Sequence, residues 1–307
     1  MATGNNAGKS ISWLLAFSAT AFWGLAELHP FATMCSISFS LYFLIKLHTL
    51  VSYPRGDKRL SMFSVVAWFL GWPGLDAKAF FTQYPTELSS THLSSVQYSG
   101  LIEVTLASSK MLLGIAMLTW VAPAFLSSNE LLAGWIALGG FLMLLHFGGF
   151  DLLAILWRWR GRNVQPIMNA PILSTSVSEF WSKRWNLAFR DYAYPNLFKP
   201  LARSWSPLAA VVGGYAFSGI VHELAISVPA RAGFGLPTLY FAMQGVAIVF
   251  ERWLTKRGVV IRGGWRGWIW TALVTAPGAF VLFHPPFIRN VIVPVVEFVS
   301  KGEARLT

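Results

Sequence analysis

The apolar run Pro207–Val228 contains the segment Ala216-Phe-Ser-Gly-Ile-Val-His-Glu-Leu-Ala-Ile226, in which one histidine and one glutamate interrupt a hydrophobic sequence. About 20 mostly apolar residues are enough for an α-helix to cross a bilayer. Ionisable side chains inside such a helix cost free energy and usually mark a functional site. The segment therefore predicts a membrane-spanning helix whose polar side chains, His222 and Glu223, are candidates for function.

The composition of the whole chain supports a membrane protein. Of its 307 residues, 55% are hydrophobic and only 12% are charged, whereas a soluble domain has about 25% charged residues. This balance excludes a soluble globular enzyme and a disordered chain, and a single cysteine excludes a disulfide scaffold. The apolar runs are long and unbroken, unlike the short alternating strands of a barrel. We expect one all-α polytopic integral membrane domain over residues 1–307.

Other runs of spanning length predict further transmembrane helices. They lie at Trp13–Leu28, Phe31–Val51, Gly100–Ala122, Leu131–Trp157, Leu236–Leu254 and Gly267–Phe283. Two shorter runs, Ser61–Leu75 and Phe287–Val299, are less regular, and the first ends in a Pro-Gly pair typical of a re-entrant or interfacial segment. The expected total is about seven to nine transmembrane helices.

We attribute the net charge of +11 to basic cytoplasmic loops of a membrane protein rather than to nucleic-acid binding. Lys and Arg concentrate in the loops on the cytoplasmic side of membrane proteins. Basic residues cluster in three such regions, near Arg55, within residues 158–206, and near Arg257. These clusters fall on one side of the membrane if Ser61–Leu75 does not cross it, and the N-terminus is then cytoplasmic. Because membrane topology accounts for the basic residues, we expect no nucleic-acid partner.

The basic loop at residues 158–206 contains an aromatic and basic stretch, Ser178-Glu-Phe-Trp-Ser-Lys-Arg-Trp-Asn-Leu-Ala-Phe-Arg190. Its aromatic and cationic residues alternate as on an amphipathic helix that lies in the headgroup plane. Ser178 is a suitable N-cap for such a helix. Taken alone, the pattern predicts a membrane-surface anchor in a cytoplasmic loop.

Two motifs together carry a family resemblance. Phe180-Trp-Ser-Lys-Arg-Trp-Asn186 is followed about 36 residues later by Phe217-Ser-Gly-Ile-Val-His-Glu223. This combination resembles the membrane-bound O-acyltransferase (MBOAT) superfamily, and its wax synthase-like branch most closely. Three further segments are similar to sequences of that branch: Trp72-Pro-Gly-Leu-Asp76, His146-Phe-Gly-Gly-Phe-Asp151 and Pro171-Ile-Leu-Ser-Thr-Ser176. The resemblance covers about residues 61–257, and the chain is shorter than many members of the family.

The resemblance implies acyl transfer from acyl-CoA, as co-substrate, to the hydroxyl group of a lipid alcohol. His222 matches the catalytic histidine of the family, and a neutral imidazole is a suitable general base near pH 7. Asn186 matches the second signature residue and could stabilise the thioester oxyanion. A histidine held between helices, and an asparagine that caps its own helix, are the competing structural interpretations of these two residues.

Neighbouring residues are expected to complete the substrate site. Lys183 and Arg184 are candidates for binding the phosphates of CoA. Cytoplasmic Lys and Arg residues that lie on anionic lipid would show the same sequence pattern. The other residues assigned to substrate binding are Phe180, Trp181, Trp185 and Glu223. Adjacent helical positions diverge by about 100°, so we expect Glu223 to be a neighbour of the site that does not orient His222.

Several alternatives remain open from the sequence. The acceptor could be a long-chain alcohol, diacylglycerol, a sterol-like alcohol, a carotenoid or a sugar, and a proton-coupled lipid transporter using His222 is a different class of function. His146 and Asp151 fit a glycerolipid acyltransferase pattern, but a helix would place them about 140° apart. No metal-ligand spacing is present, so we expect no metal and no cofactor. The membrane is a bacterial inner membrane or the endoplasmic reticulum, and the oligomeric state is not indicated.

Overall fold

The computed structural model describes residues 29–53, 60–82 and 93–303, and the regular elements within them are helical. The principal helices are α1 Pro30–Ser52, α2 Met62–Gly71, α3 Ala77–Phe81, α4 Leu93–Ala116, α5 Glu130–Phe141, α6 Phe150–Trp159, α7 Leu187–Ala193, α8 Lys199–Ser204, α9 Pro207–His222, α10 Leu236–Lys256, α11 Gly264–Thr275 and α12 Val293–Glu303. Between them lie π-helical segments at Met117–Val121, Leu142–Gly149, Phe180–Arg184, Tyr194–Phe198, Glu223–Ser227 and Ile288–Ile292. The predicted span Trp13–Leu28 and the basic cluster near Arg55 lie outside the described residues.

Four continuous stretches of the described chain are long and apolar enough to cross a membrane: Pro30–Ser52, Gly100–Phe125, Glu130–Trp159 and Pro207–Ala230. Each coincides with a predicted span. A bent pair, Gly264–Leu282 and Pro285–Gly302, meets at 56° and would make a fifth span if it crosses as one broken helix. The prediction of an all-α polytopic membrane protein is confirmed at this level, while the count of seven to nine spans stays a prediction.

Two predicted apolar runs form helices that are too short or too polar to be counted among these membrane-spanning stretches. Helix α10 occupies the predicted run Leu236–Leu254, but Gln244, Glu251 and Arg252 make it more polar than a typical span. Gln244 and Glu251 are fully buried within the fold. Helix α2 has only 10 residues, which is consistent with the short run from which it was predicted.

The outer surface of the helices is apolar, as contact with lipid requires. Of the apolar 18-residue stretch within Gly100–Phe125, only 11% is buried inside the protein. Large apolar side chains such as Leu101, Ile102 and Leu112 are exposed there. Exposed apolar surface of this extent is unfavourable in water, so it indicates that α4 faces lipid.

Small residues allow α4 to approach the π-helical segment Leu142–Gly149 closely. A Cβ atom at Gly114 would lie 2.5 Å from the backbone nitrogen of Leu144 and 2.7 Å from the carbonyl oxygen of Gly140. An ion pair between Lys110 Nζ and Asp151 Oδ2, at 2.9 Å, joins α4 to α6, which directly follows that segment. Small residues at helix contacts are the usual means of tight packing between membrane helices.

A buried lysine holds the Trp72-Pro-Gly element in place. Lys46 on α1 is fully buried, and its Nζ donates hydrogen bonds to the carbonyl oxygens of Trp68 and Trp72, the latter at 2.6 Å. The Tyr42 hydroxyl donates to the same Trp72 carbonyl at 2.8 Å. These bonds satisfy the carbonyl groups left without helical partners where α2 ends, so the buried Lys46 side chain has a structural explanation.

Two apolar clusters flank the segment that carries the first motif. One joins α9, α10 and the C-terminal helices through residues such as Tyr215, Phe241 and Ile288. The other surrounds Trp68 and joins α1, α2, α6 and α7. Val177 belongs to the first cluster and Ala188 to the second, so residues 177–188 lie between the two halves of the core.

The predicted amphipathic helix Ser178–Arg190 is not continuous. It consists of a helical turn at Val177–Glu179, the π-helical segment Phe180–Arg184, and α7. Trp185 is extended and Asn186 adopts a left-handed conformation with φ 43°, which ends one helix and starts the next. The N-cap is Ser176 rather than Ser178, because Ser176 Oγ accepts a hydrogen bond from the Glu179 amide at 3.0 Å.

We predict that Gly114→Ala destabilises the fold, because its new methyl group would meet backbone atoms that cannot rotate away. The expected loss is about 1–3 kcal/mol, measured by thermal unfolding of the purified protein in detergent. Gly302→Ala is the matched control, since a Cβ atom there has no neighbour within 4 Å and alanine favours a helix. Equal melting temperatures for both variants would contradict the close approach.

Candidate active site

One cavity brings the two motifs together. Its volume is about 170 Å³, and it is lined by side chains from the motif segment 178–198, from α9 and from α10. His222 and Asn186 both face it, although they are distant in sequence. Tyr215 and Phe241 form part of an apolar wall, so the cavity combines a few polar groups with a mostly hydrophobic lining, as ligand sites usually do.

His222 is the last residue of α9, and its hydrogen bonding defines which ring nitrogen is free. Nδ1 lies 2.7 Å from the carbonyl oxygen of Ser218. A carbonyl oxygen can only accept, so Nδ1 carries the hydrogen and Nε2 of the neutral ring has the free lone pair. No described residue hydrogen-bonds Nε2. The ring packs against Phe241 with centroids 4.4 Å apart, which fixes its orientation.

Glu223 turns away from this cavity, as the divergence of adjacent helical positions predicts. Its Oε1 accepts hydrogen bonds from the amides of Gly235 and Thr238, both at 3.0 Å, and from the Thr238 hydroxyl at 2.9 Å. These groups lie at the N-terminus of α10, where a carboxylate is stabilised by the free amides and the helix dipole. Glu223 therefore joins α9 to α10 and does not line the cavity.

Asn186 occupies a position that suits its residue type. Its left-handed backbone conformation is one that asparagine tolerates better than most residues. The side-chain Oδ1 accepts a hydrogen bond from the Phe189 amide at 3.3 Å and caps α7. The capping interpretation is therefore realised in the structure. It uses only the oxygen, and no described residue accepts a hydrogen bond from Nδ2, so the amide donor remains available to a ligand in the cavity.

The aromatic residues of the first motif divide into two groups. Trp181 and Trp185 line the cavity, whereas Phe180 does not. Phe180 instead stacks on Trp185, with centroids 5.5 Å apart and planes within 13° of parallel. Trp181 donates through Nε1 to Gln244 Oε1 at 3.2 Å. Both tryptophans are thus held in fixed positions, one by α10 and one by its own segment.

The two cations expected to bind CoA phosphates, Lys183 and Arg184, do not line the cavity. Arg184 pairs with Glu179 at 2.8 Å and closes its own segment. Burial raises the pKa of Glu179, but the Thr175 amide, which donates at 2.9 Å, and the Arg184 guanidinium outweigh this effect, so the pKa lies below its ordinary value. Arg184 is therefore committed to a structural pair, and Lys183 is exposed beside it.

Residues that sequence reasoning did not assign to the site also line the cavity. They are chiefly Ser178, Ser182, Arg190 and Arg252. Arg190 is paired with Asp191 and donates to the Ser182 carbonyl at 3.0 Å. Arg252 has no such partner among the described residues. Its place near the end of α10 gave no signal in the sequence, since it looked like one of many positive-inside residues.

Glu251 anchors the motif segment from the opposite side and was also not predicted. It is fully buried, and its carboxylate accepts hydrogen bonds from the amides of Val177 at 2.7 Å and Ser178 at 3.3 Å. The Trp270 indole donates to it at 3.0 Å, and Arg262 lies 3.6 Å away. Glu251 thereby ties the start of the first motif to α10, which also provides Phe241 and Arg252 to the cavity.

The alternative pair His146 and Asp151 is not assembled into a catalytic dyad. Asp151 is paired with Lys110, while the Nδ1 atom of His146 is buried without a hydrogen-bond partner. Neither residue lines the cavity that contains His222. Within residues 29–53, 60–82 and 93–303, no group of three or more His, Cys, Asp or Glu residues could hold a metal ion.

This fold and site define a helical membrane protein with a histidine and an asparagine facing one cavity between its helices. Residues 164–243 match the family model described as "Membrane bound O-acyl transferase family". The matched region contains both Asn186 and His222. The resemblance to the MBOAT superfamily that the motifs predicted is therefore confirmed.

Curated relatives extend the match to the wax synthase-like branch. "Probable long-chain-alcohol O-fatty-acyltransferase 2" of Arabidopsis thaliana is 31% identical over 42% of this chain and 41% of its own length. "Acyl-CoA--sterol O-acyltransferase 1" of the same plant is 29% identical, with 42% and 41% covered. "Long-chain-alcohol O-fatty-acyltransferase" of Simmondsia chinensis is 28% identical, with 42% and 40% covered. The aligned part of the chain thus spans about two fifths of each relative.

We predict that Glu251→Gln loosens the motif segment, because the neutral amide cannot replace a buried carboxylate that accepts several hydrogen bonds. The expected loss of stability is about 1–3 kcal/mol. In hydrogen exchange followed by mass spectrometry, the amides of Val177 and Ser178 should exchange faster than in the unmodified protein. Glu297→Gln, at an exposed position, is the control, and unchanged exchange in Glu251→Gln would refute the anchoring role.

Proposed function

We propose that this protein is an O-acyltransferase that moves a fatty acyl group from acyl-CoA to the hydroxyl of a long-chain alcohol, forming a wax ester or similar neutral lipid ester. The observation that carries the proposal is the common cavity of His222 and Asn186. The names of the relatives, which include long-chain-alcohol O-fatty-acyltransferases, support the reaction class. The acyl donor and the alcohol are accordingly the two proposed substrates.

In the proposed reaction, His222 removes the proton of the alcohol. Nε2 accepts this proton while the alcohol oxygen attacks the thioester carbonyl carbon, and the carbonyl oxygen becomes an oxyanion. When the tetrahedral intermediate collapses, the carbon–sulfur bond breaks, and the imidazolium returns its proton to the CoA thiolate. The Nδ1–H bond to Ser218 keeps the ring in the tautomer that this sequence requires. General base catalysis of this kind contributes about 10²–10⁴-fold.

Asn186 is proposed to stabilise the oxyanion with its Nδ2 amide. Because Oδ1 is fixed by the bond to the Phe189 amide, the orientation of Nδ2 is set before substrate binds. Donors held in place in this way are more effective than donors that must reorient during the reaction. The cap and the catalytic role are therefore compatible in one side chain.

An apolar groove that is open to the outer surface beside the site supports a lipid substrate. It has a volume of about 560 Å³ and lies between α9 and α10, where it shares Val211 and Tyr215 with the cavity of His222. Its lining is almost entirely hydrophobic, including Val246 and Trp253. A hydrocarbon chain is the ligand that such a lining favours, so we assign this space to an aliphatic chain of one substrate.

Membrane placement follows from the same proposal. We infer about seven to nine transmembrane helices, with the basic regions on the cytoplasmic side where acyl-CoA is dissolved. The membrane would be the bacterial inner membrane or the endoplasmic reticulum. A sterol-like acceptor is the second candidate, because one relative is named an acyl-CoA–sterol O-acyltransferase.

We predict that His222→Ala lowers the rate of ester formation about 10²–10⁴-fold without loss of expression. The assay uses purified protein in detergent micelles with acyl-CoA and a fatty alcohol, and mass spectrometry detects the ester. Micelles maintain no gradient, so ester formation also excludes a transporter without enzymatic activity. His146→Ala is the matched control and should keep its activity. Equal activity of both variants would remove His222 from the mechanism.

We predict that Asn186→Asp separates the cap from the catalytic donor. Aspartate keeps an oxygen that can cap α7 but has no N–H group, so the protein should remain folded while the rate falls about 10²–10³-fold. Asn186→Ala should lose both stability and rate. Thermal unfolding and the ester assay provide the two readouts, and a fully active Asn186→Asp variant would leave only the structural role.

A further inference from the structure

Arg190 lies between two spaces in the protein. On one side it lines the cavity of His222, together with Asn186. On the other side it lines a space of about 200 Å³ next to the Trp72-Pro-Gly-Leu-Asp76 element. Its partner Asp191 lines only the second of these two spaces. The guanidinium group of Arg190 therefore reaches the reaction cavity, while the carboxylate that pairs with it is held outside.

Arg190 and Asn186 project from the same face of α7. Asn186 caps this helix, and Arg190 follows one turn later, with its amide donating to the Asn186 carbonyl oxygen at 3.3 Å. Residues four positions apart in a helix lie on one face, and their side chains lean toward the N-terminus. The Nη1 atom of Arg190 donates to the carbonyl oxygen of Ser182 at 3.0 Å, so the side chain extends back along the motif segment. The guanidinium group is thereby brought toward the side chain of Asn186.

Three of the five N–H groups of the Arg190 side chain are used within the protein. Nε donates to Asp191 Oδ1 at 2.7 Å, Nη2 donates to the same oxygen, and Nη1 donates to the Ser182 carbonyl oxygen. One N–H group therefore remains on Nη1 and one on Nη2, and no described residue accepts a hydrogen bond from either. The side chain is 38% exposed, so these two donors are accessible to a ligand in the cavity.

We propose that Arg190 is a second hydrogen-bond donor to the thioester carbonyl oxygen, beside Asn186, an assignment that rests on the proposed acyltransferase function. When the alcohol oxygen bonds to the carbonyl carbon, an electron pair of the carbonyl double bond moves to its oxygen. The free Nη–H groups of Arg190 stabilise the negative charge that forms there. No proton leaves Arg190, since a guanidinium group does not deprotonate in proteins. The electron pair returns to the carbonyl bond when the carbon–sulfur bond breaks.

The pairing with Asp191 suits this role. An oxyanion is stabilised best by donors that are fixed before the reaction, and three hydrogen bonds fix the Arg190 guanidinium. Hydrogen bonds from a charged donor are about twice as strong as neutral ones, and they strengthen further when the acceptor gains charge. The neutral carbonyl group of bound acyl-CoA benefits less than the oxyanion. Arg190 is therefore expected to act on kcat more than on KM.

The first test replaces Arg190 by methionine, which has a similar length but no N–H group. In Arg190→Met, kcat for ester formation should fall about 10²-fold, while the KM for acyl-CoA stays within about threefold. Arg289→Met is the matched control, because Arg289 also pairs with a carboxylate, that of Glu130, and does not line the cavity. It should retain full activity. An unchanged kcat in Arg190→Met, with or without a higher KM, would overturn the assignment.

Asp191 is a positioning residue in this proposal, because it holds Arg190 without lining the reaction cavity. Asp191→Asn should lower kcat about tenfold, since the neutral amide holds the guanidinium less firmly. Combined with Arg190→Met, it should cause no further loss, because residues that act as one unit have non-additive effects. Additive losses of kcat in the double variant would contradict the positioning role of Asp191.

Two acyl-CoA analogues separate this role from a contribution to folding or to CoA binding. A methylene analogue has a neutral ketone at the reacting carbon, whereas a fluoroketone analogue forms a hydrate that resembles the tetrahedral intermediate. In calorimetric titrations, Arg190→Met should bind the methylene analogue within about twofold of the unmodified protein but the fluoroketone at least about tenfold more weakly. Equal losses for both analogues would overturn the assignment. Binding of both analogues by the unmodified protein, without ester formation from acyl-CoA, would count against the proposed function alone.

Discussion

The hydrogen bond between His222 Nδ1 and the carbonyl oxygen of Ser218 is the interaction on which the proposed chemistry depends. It lies within one turn of α9, so the same helix that crosses the apolar layer also selects the tautomer of its histidine. With Nδ1 occupied by its hydrogen, Nε2 is the only basic nitrogen of the neutral ring. The contact with Phe241 then limits rotation of the ring. The histidine is thus positioned for proton transfer by a backbone carbonyl group and an aromatic ring. Both can be buried in an apolar region at a small cost in free energy.

The remainder of the site is held by carboxylates that lie outside the cavity. Glu223 joins α9 to the N-terminus of α10, and Glu251 joins α10 to the start of the motif segment. Each satisfies backbone amides that would otherwise be left unpaired at a helix end, which costs about 1–3 kcal/mol for each buried group. The three segments that line the cavity are consequently fixed to one another by charged hydrogen bonds, in a region where apolar packing alone is not directional.

The helical class and the main spans could be predicted from the sequence because they depend on local composition. Pro207–Val228 and Leu131–Trp157 are apolar over a length that the bilayer requires, and both form helices at the expected places. The pair His222 and Asn186 could be proposed from the sequence because the two motifs are characteristic together, and the structure places both residues at one cavity. In both cases the signal is contained in neighbouring residues.

What could not be predicted depends on contacts between distant parts of the chain. The expected helix Ser178–Arg190 is broken because Asn186 takes a left-handed conformation that periodicity does not reveal. In the sequence, Lys183, Arg184 and Arg252 are all basic residues of predicted cytoplasmic regions. In the structure Arg184 is paired, and of these three residues only Arg252 lines the cavity. Glu251 lies near the end of the predicted run Leu236–Leu254 and was not assigned a role from the sequence, although it is buried and binds two amides of another segment.

The most direct test of the central claim is an electron cryo-microscopy structure with a non-reactive acyl-CoA analogue that has a methylene group between the sulfur and the carbonyl carbon. The account predicts that the carbonyl oxygen lies about 3 Å from Asn186 Nδ2, with His222 Nε2 facing the same carbonyl and open to an acceptor hydroxyl. An analogue whose carbonyl group is bound in a different cavity, away from the His222 ring, would contradict the account.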